Sequence, residues 1–146
     1  MKLDEIHEMW HSDSKIDSTK LDIESLTIPA TTSKYLKILS SERLLKVKLE
    51  TELIQLKTEL YEFYTMGASK HHLEKGWGDK FPGNRILKGK ESDMYIDSDN
   101  DIIQLSLKIS YQREKIDLLD SIIKSLNNRS FHINNAINFL RWTHGG

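Results

Sequence analysis

The stretch LETELIQLKTELYEF, residues 49–63, places apolar side chains at alternating intervals of four and three residues. These positions are held by Leu49, Leu53, Leu56, Leu60 and Phe63. The spacing aligns the five side chains on one face of an α-helix and is typical of helices that pack as coiled coils. It predicts a long helix that ends near residue 66.

The same register continues towards the N-terminus, where it meets two charged residues. Lys46 and Glu42 fall on the apolar line before Leu39 and Tyr35 restore it. Because charged groups are costly to bury, we expect this part of the seam to face water, a ligand or a partner. The alternative is a shift of register onto the neighbouring apolar residues Leu44, Leu45 and Val47.

A second seam with the same spacing lies in the C-terminal third of the chain. It consists of Ile102, Leu105, Ile109, Ile116, Leu119, Ile123 and Leu126. Ser98 or Asp99 can cap this helix, since a short side-chain oxygen accepts from the free amides of a first turn. We expect residues 127–129 to end it and Ser130 to cap a last amphipathic helix.

Shorter helices are predicted in the N-terminal third. Residues 3–10 fit one helix, and Asp17 or Ser18 can cap another. Pro29 lacks an amide donor and clashes with the preceding turn, so it should interrupt or kink that helix. The long helix should resume near Thr31 or Thr32.

Between the two seams, residues 67–97 are predicted to form a long basic loop. Five of the seven glycines and one of the two prolines occur in it. Loops of this length are usually functional or disordered. Residues 85–90 and 94–96 fit a short β-hairpin within it.

These patterns predict a mainly α protein, a long helical hairpin with flanking short helices, a long basic loop and a short β-hairpin. At 146 residues we treat it as one domain. Its parts are an N-terminal helical part at 16–66, the loop at 67–97, and a C-terminal helical part at 98–142. A hairpin of this size leaves apolar surface uncovered, so we expect self-association.

Composition narrows the function classes. The chain has no cysteine, so disulfides and thiolate metal sites are excluded. Its first ten residues hold three acidic residues and no apolar run, unlike a signal peptide, and no stretch has transmembrane length, so we expect no membrane partner.

Positive charge is concentrated in the middle of the chain although the formal net charge is −1. Between residues 34 and 48, five basic residues face Glu42 alone, namely Lys34, Lys37, Arg43, Lys46 and Lys48. The loop is basic as well. Local clusters of this kind fit phosphate binding. The alternative is that they are only the solvated faces of long helices.

Aromatic residues accompany cations in the loop. Trp77 and Phe81 occur among Lys75, Lys80 and Arg85. Bases of a single strand stack on aromatic faces while cations follow the phosphates, so this segment is a candidate for DNA binding. The alternative is that Trp77 and Phe81 attach the loop to the helices.

Catalytic and metal motifs are not indicated. Asp97, Asp99 and Asp101 share the opening spacing of a calcium loop, but Ile102 stands where that loop needs glycine, so helix capping is the better interpretation. His71 and His72 are adjacent and do not converge as metal ligands would. Phosphate-binding and serine-elbow motifs do not occur, so we expect neither an enzyme nor a cofactor.

Several short motifs carry a resemblance to a known family. Residues 16–21, Ile-Asp-Ser-Thr-Lys-Leu, resemble the opening signature of the UvsY recombination mediators of T-even-type bacteriophages. Ser33-Lys34-Tyr35-Leu36, the pair Ser40-Ser41 and Glu62-Phe63-Tyr64 fall in register with further motifs of that family. The resemblance weakens through the loop and returns at residues 97–145 as a similar helical pattern.

The resemblance implies a non-enzymatic role in phage homologous recombination, repair and recombination-dependent replication, in the cytoplasm of the infected bacterial host. Family members bind single-stranded DNA, assemble into closed rings and help a RecA-like recombinase replace the single-strand-binding protein. Expected partners are therefore the DNA, both proteins and further copies of the chain. The rival interpretation is a structural coiled-coil assembly protein that does not bind DNA.

The resemblance also assigns residues. Lys34, Arg43 and Lys48 stand where the family has basic residues, with Lys37 beside another such place. The family's basic pair before its Asp-Tyr-Tyr motif is replaced by Thr58 and Leu60, which leaves Lys57 nearby. The family's C-terminal helices form the ring, and the matching candidates are Ile116, Leu119, Ile123, Leu126, Ile133, Ile137 and Leu140.

Overall fold

A computed structural model describes residues 1–80 and 89–145 as a set of helices. Five of these are α-helices: α1 (Leu3–Asp13), α2 (Leu21–Met66), α3 (Lys70–Glu74), α4 (Lys90–Asp97) and α5 (Asn100–Thr143). A single 3₁₀ turn, Gly78–Lys80, follows α3. The mainly α fold is therefore confirmed.

The predicted loop is more structured than its glycine content suggested. Residues 67–97 contain α3, the 3₁₀ turn and α4. The prediction that this whole segment is a loop is therefore wrong. The predicted β-hairpin is also wrong where it is described, because residues 94–96 lie in α4. Its other half, residues 85–88, lies outside the described residues.

Helix α2 passes through Pro29 without interruption, contrary to prediction. Pro29 is exposed, so water can reach the carbonyl group that loses its amide donor. The hydroxyl groups of Thr27 and Thr31 donate to carbonyl oxygens of the preceding turn, at 3.0 and 3.1 Å. Pro29 costs α2 one backbone hydrogen bond. The helix tolerates this loss because the packing of its seam stabilises it elsewhere.

The start of α2 also differs from prediction. Asp17 accepts hydrogen bonds from the amide and hydroxyl groups of Thr19, at 2.9 and 2.6 Å, and so stabilises the turn before the helix. The first turn of α2 begins at Leu21, and the Glu24 amide donates to the Lys20 carbonyl at 3.0 Å. Asp17 and Ser18 therefore do not cap α2.

The predicted break at residues 127–129 is wrong, because α5 continues to Thr143. Arg129 is buried and lies three residues after Leu126 and four before Ile133, which are buried as well. Counted from Ile122, which is buried in place of the predicted Ile123, the intervals are four, three and four, with a basic residue at one of these positions. The N-cap prediction for this helix is confirmed, since Asp99 accepts from the Asp101 amide at 2.9 Å.

The chain forms two compact units, and both long helices contribute to each. Unit 1 consists of Met1–Leu45 and Gln112–Gly146, and unit 2 is Lys46–Tyr111. The prediction of one domain with three successive parts remains a prediction.

The core of unit 1 is formed by α1, the first half of α2 and the second half of α5. Its buried apolar side chains are Ile6, Tyr35, Leu39, Ile116, Leu119, Ile122 and Leu126. Trp10 packs edge-on against Tyr35, with ring centroids 5.8 Å apart. Both predicted seams are represented in this core.

A polar layer interrupts the core of unit 1. Glu42 accepts hydrogen bonds from the side chains of Lys115, at 2.9 Å, and Gln112, and all three residues are buried. Gln112 also donates to the Glu42 carbonyl at 2.8 Å. Burial alone would raise the pKa of Glu42, but the hydrogen bonds from Lys115 and Gln112 outweigh it and hold the pKa below its usual value.

The register through Glu42 is therefore the observed one. The expectation that this part of the seam faces water, a ligand or a partner is wrong for Glu42, because α5 supplies charged and polar groups for it within the chain. The alternative register is wrong too, since Leu44, Leu45 and Val47 are exposed.

Unit 2 contains the last part of α2, the short helices and the start of α5. Its core consists of Leu60, Phe63, Tyr64, Trp77, Ile96 and Ile102. Gly67 ends α2 with a φ of 94°, a conformation that suits glycine, and its amide donates to the Phe63 carbonyl.

Candidate nucleic-acid interface

The basic residues of α2 in unit 1 differ in how they are paired. Lys34 forms an ion pair with Asp13 and lies 5.1 Å from the centre of the Tyr35 ring. Asp13 also accepts from the Tyr35 hydroxyl at 2.8 Å. Burial would raise the pKa of Asp13, but its hydrogen bonds with Lys34 and Tyr35 hold that pKa below its usual value.

Arg43 and Asp120 form an ion pair at 3.1 Å with both side chains largely exposed. Pairs of this kind typically contribute about 1 kcal/mol or less. A phosphate could therefore replace Asp120 as the partner of Arg43 at small cost.

Lys37 and Lys48 are exposed, and neither is paired with an acidic group among residues 1–80 and 89–145. Lys37 belongs to unit 1 and Lys48 to unit 2. Lys46 pairs with Glu50 one turn later, at 3.4 Å. Among the five basic residues between 34 and 48, Lys37 and Lys48 are thus the most available to a polyanion.

Lys75 and Lys80, which follow α2, form ion pairs with carboxylates of unit 2. Lys75 forms an ion pair with Glu59. Lys80 donates to both Asp99 oxygens, at 3.0 and 2.9 Å, and to Asp101 at 2.6 Å. Burial would lower the pKa of Lys80, but hydrogen bonds to Asp101 and Asp99 raise it overall. Lys80 therefore anchors the chain where α5 begins.

Trp77 is only 5% exposed and packs inside unit 2. Its ring is stacked on His72, with centroids 5.4 Å apart, and meets Phe63 edge-on at 5.6 Å. Its faces are covered in this arrangement, which favours the alternative that Trp77 attaches this segment to the helices. Phe81 and Arg85 lie outside the described residues.

A cavity of about 300 Å³ in unit 2 lies where the resemblance places the family's basic pair. It is lined by Lys57, Thr58, Tyr61, Asp93, Ile96 and Asp97. Two carboxylates facing one lysine do not favour a phosphate. Leu60 is buried in the core and not in this wall. The positions of the missing pair therefore offer no anion site.

A smaller cavity of about 160 Å³ lies in unit 1 and is lined by Trp10, Ser14, Ile16, Ser125, Arg129 and His132. Arg129 donates to the Asp13 carbonyl at 2.6 Å and lies 5.7 Å from the centre of the Trp10 ring. Sequence reasoning missed this role of Arg129, although the four-three spacing from Leu126 to Ile133 indicates it.

The residues expected to form a ring fall into two groups. Ile116, Leu119, Leu126 and Ile133 are buried within the chain. Ile123 and Ile137 are partly exposed, and Leu140 is exposed. Only the second group can contact another copy without opening unit 1. Three exposed aromatic residues near them were missed: Phe131, Phe139 and Trp142.

Neither metal chemistry nor a membrane span is indicated in residues 1–80 and 89–145. No group of three or more potential metal ligands converges among them. None of their helices combines the length and apolar character needed to cross a bilayer. The exposed basic residues therefore remain the main candidate for function.

Comparisons with known proteins point in one direction. A family model described as "Recombination, repair and ssDNA binding protein UvsY" matches residues 9–146. No curated protein sequence matches the chain significantly.

Crystal structures of the bacteriophage T4 recombination mediator protein UvsY have a similar fold. The lattice type II structure has a TM-score of 0.79 at 24% identity, over 100% of this chain and 99% of that one. Lattice type IV gives 0.78 at 19% identity, over 98% and 99% of the two chains. Lattice type I gives 0.78 at 22% identity, over 95% and 98%.

Proposed function

Because the chain belongs to the UvsY family, we propose that it is a phage recombination mediator that binds single-stranded DNA. It would promote the loading of a RecA-like recombinase onto DNA coated by single-strand-binding protein, in homologous recombination, repair and recombination-dependent replication. The observation that carries the proposal is the family match over residues 9–146.

The exposed cations of α2 are the proposed DNA contacts. Lys37 and Lys48 are available as they stand, whereas Lys34 and Arg43 would exchange a carboxylate for a phosphate. Lys46 and Lys57 are secondary candidates. Lys75 and Lys80 are already engaged by carboxylates, Lys80 by two of them, and would contribute less.

Self-assembly would make these few contacts sufficient. In a closed ring, each copy adds the same cations, and linked weak contacts bind a long polyanion more tightly than any one of them alone. Ile123, Ile137 and Leu140 are the proposed contacts between copies, since they retain exposed apolar surface. A net charge of −1 is compatible with this mechanism, because the local cations carry the binding.

The proposed mechanism needs no catalytic group. A mediator can act by binding DNA in a form that favours the recombinase over the single-strand-binding protein, so that differential affinity shifts the exchange. Contacts of this chain with the recombinase and with the single-strand-binding protein are also part of the proposal.

Fluorescence anisotropy of a labelled oligo-dT tests the proposal directly. Protein is titrated at low and at high salt, with an unlabelled duplex as competitor. We expect the affinity to fall as salt rises, because binding releases counterions from the strand. We expect the unlabelled duplex not to displace the labelled oligo-dT. Absence of binding at low salt would favour the structural coiled-coil protein instead.

A further inference from the structure

A buried arginine in unit 1 has more hydrogen-bond donors than the described residues supply acceptors for. Arg129 on α5 is only 6% exposed, and a guanidinium group carries five N–H donors. Its Nη2 donates to the Asp13 carbonyl, at the end of α1, at 2.6 Å. Within residues 1–80 and 89–145 the side chain forms no other hydrogen bond and no ion pair. Most of its donors therefore have no acceptor there.

The positive charge of Arg129 is only partly balanced. The carbonyl end of a helix carries about half a negative charge, and Arg129 lies at that end of α1. The Asp13 carboxylate already has its own partners, since it accepts from Lys34 and from the Tyr35 hydroxyl. Because a buried charge is stable only when it is paired and hydrogen-bonded, the position favours a further negative group.

Arg129 lines the smaller cavity, which lies between α1 and α5 of the same chain. Its volume is about 160 Å³, whereas pockets that enclose a whole small-molecule ligand usually exceed about 300 Å³. The space therefore suits an ion or a single functional group. We call it the Arg129 cavity.

Two further donors of α5 line the Arg129 cavity. Ser125, Arg129 and His132 follow intervals of four and three residues and so lie on one side of the helix. Neither the Ser125 hydroxyl nor the His132 ring forms a hydrogen bond with another residue that the structure describes. Ser14, on the opposite wall, differs because its hydroxyl donates to the His11 carbonyl at 3.0 Å. The available donors are thus all on α5.

The acidic residues of α5 lie outside this cavity. Asp120 and Asp117 precede Ser125 by five and eight positions, which is about 7.5 and 12 Å along the helix axis. Asp120 already pairs with Arg43 at 3.1 Å. No acidic residue follows Asp120 in the sequence. The part of α5 that lines the cavity therefore contributes only basic and neutral groups.

On the N-terminal side of the cavity, basic groups also outnumber acidic ones. The Asp17 carboxylate accepts two hydrogen bonds within its own turn, at 2.9 and 2.6 Å. Lys15 is exposed and forms no ion pair with a described residue. Lys15, Lys34 and Arg129 together exceed the charge of Asp13 and Asp17 by one. The local charge therefore attracts an anion.

We propose that the Arg129 cavity is an anion site that binds a phosphate group. A guanidinium group matches two oxygens of a phosphate with parallel donors, and the remaining oxygens can accept from Ser125 and His132. A backbone phosphate of single-stranded DNA and a free phosphate share this chemistry. The site stands without the proposed function, and only its assignment to DNA rests on that function.

Equilibrium dialysis of the full chain against radiolabelled inorganic phosphate tests the site without DNA. The wild type should bind one phosphate per chain. Ser125→Ala and His132→Ala should each weaken binding roughly tenfold, the effect of one hydrogen bond to a charged group. Ser130→Ala and His144→Ala are the matched controls and should bind as the wild type does, because both side chains are exposed and lie outside the cavity.

Arg129→Lys tests the fork of donors directly. It keeps the positive charge but loses the parallel donors, so it should bind phosphate at least tenfold more weakly. Arg129 also holds the end of α1, so circular dichroism must show that this variant is folded. If it is not, Ser125→Ala and His132→Ala decide the question, because both change exposed side chains.

Competition distinguishes the two sources of phosphate. If the site takes backbone phosphates, unlabelled oligo-dT should displace the labelled phosphate, and His132→Ala should also lower the affinity for oligo-dT. If the label is retained in the presence of oligo-dT, the site belongs to a free phosphate. Either result supports an anion site.

The outcomes separate this inference from the proposed function. A wild type without saturable phosphate binding, or equal binding by Ser125→Ala, His132→Ala and the wild type, would overturn the inference. A loss of binding that occurs only together with a lower mass in light scattering would overturn it too, because the variants would then act through assembly. A chain that binds phosphate but not oligo-dT would keep the site and reject the proposed function.

Discussion

At the scale of single residues, availability distinguishes the lysines better than position in the sequence does. Lys37 and Lys48 are exposed and unpaired in the described structure, whereas Lys75 is paired with Glu59. A phosphate gains most from a cation that has no carboxylate to give up.

We therefore predict that Lys37→Ala combined with Lys48→Ala weakens binding to oligo-dT at low salt. The slope of log affinity against log salt should decrease by about 0.7 for each phosphate that the variant no longer neutralises. Lys75→Ala is the matched control and should change the slope little. A slope that the double variant leaves unchanged would remove both lysines from the interface.

A second prediction concerns the buried polar layer of unit 1. Glu42→Leu leaves the Lys115 ammonium buried without its carboxylate, so it should lower the free energy of unfolding by about 3–5 kcal/mol. Glu42→Leu combined with Lys115→Leu should recover most of that loss. Urea unfolding followed by circular dichroism measures both.

Arg43→Ala is the control, because it breaks an exposed pair and should cost about 1 kcal/mol or less. A Glu42→Leu variant as stable as Arg43→Ala would contradict the assignment of a buried pair.

The same layer contributes to acid sensitivity. The pKa of Glu42 is held below its usual value in the folded chain, so the charged form stabilises the fold above the pKa of the unfolded state. That stability is lost as pH falls through the lowered pKa. We expect the double variant to lose less stability than the wild type between neutral and strongly acid pH.

At the scale of elements, the two seams could be predicted because packing follows the spacing of apolar residues. Leu39, Leu60 and Leu119 are buried as the spacing requires. Local signals were less informative. Asn127 and Asn128 suggested a helix end, but buried Arg129 continues the seam, so tertiary contacts override local preference.

The candidate site was less predictable than the fold. Basic residues are visible in a sequence, whereas their pairing depends on distant residues, such as Asp120 for Arg43 and Asp99 for Lys80. The burial of Trp77 depends on contacts with Phe63 and His72 that short-range patterns do not reveal.

Substitutions of Trp77 and of Trp142 should therefore differ in their effect on the free energy of unfolding. Trp77→Ala removes a large ring from the core of unit 2 and should lower the free energy of unfolding by about 3–5 kcal/mol. The protein that remains folded should keep its affinity for oligo-dT. Trp142→Ala should leave stability within about 0.5 kcal/mol, as exposed substitutions usually do. A loss of affinity in folded Trp77→Ala would return Trp77 to the interface.

At the scale of the whole molecule, assembly should depend on the apolar residues that α5 does not bury. Ile137→Asp places a charge in the proposed contact between copies, which also contains Leu140 and Ile123. Because a charge in an apolar interface is costly, the variant should form small oligomers or monomers. Light scattering coupled to size exclusion measures the mass. Asn135→Asp adds the same charge on the exposed side of the helix and should leave the mass unchanged. An unshifted mass for Ile137→Asp would exclude this residue from the interface.

The two units also differ in which parts of the chain form them. Unit 2 is one continuous segment, whereas unit 1 joins Met1–Leu45 to Gln112–Gly146, the two ends of the sequence. Contacts between distant segments form late, since a long intervening loop must first close. On the ribosome, unit 2 is complete once residue 111 has emerged, while Tyr35 and Leu39 wait for α5 to be translated. A message truncated after residue 111 would therefore encode all of unit 2 but leave the apolar side chains of the N-terminal segment without α5, and such exposed segments are preferred sites of proteolysis.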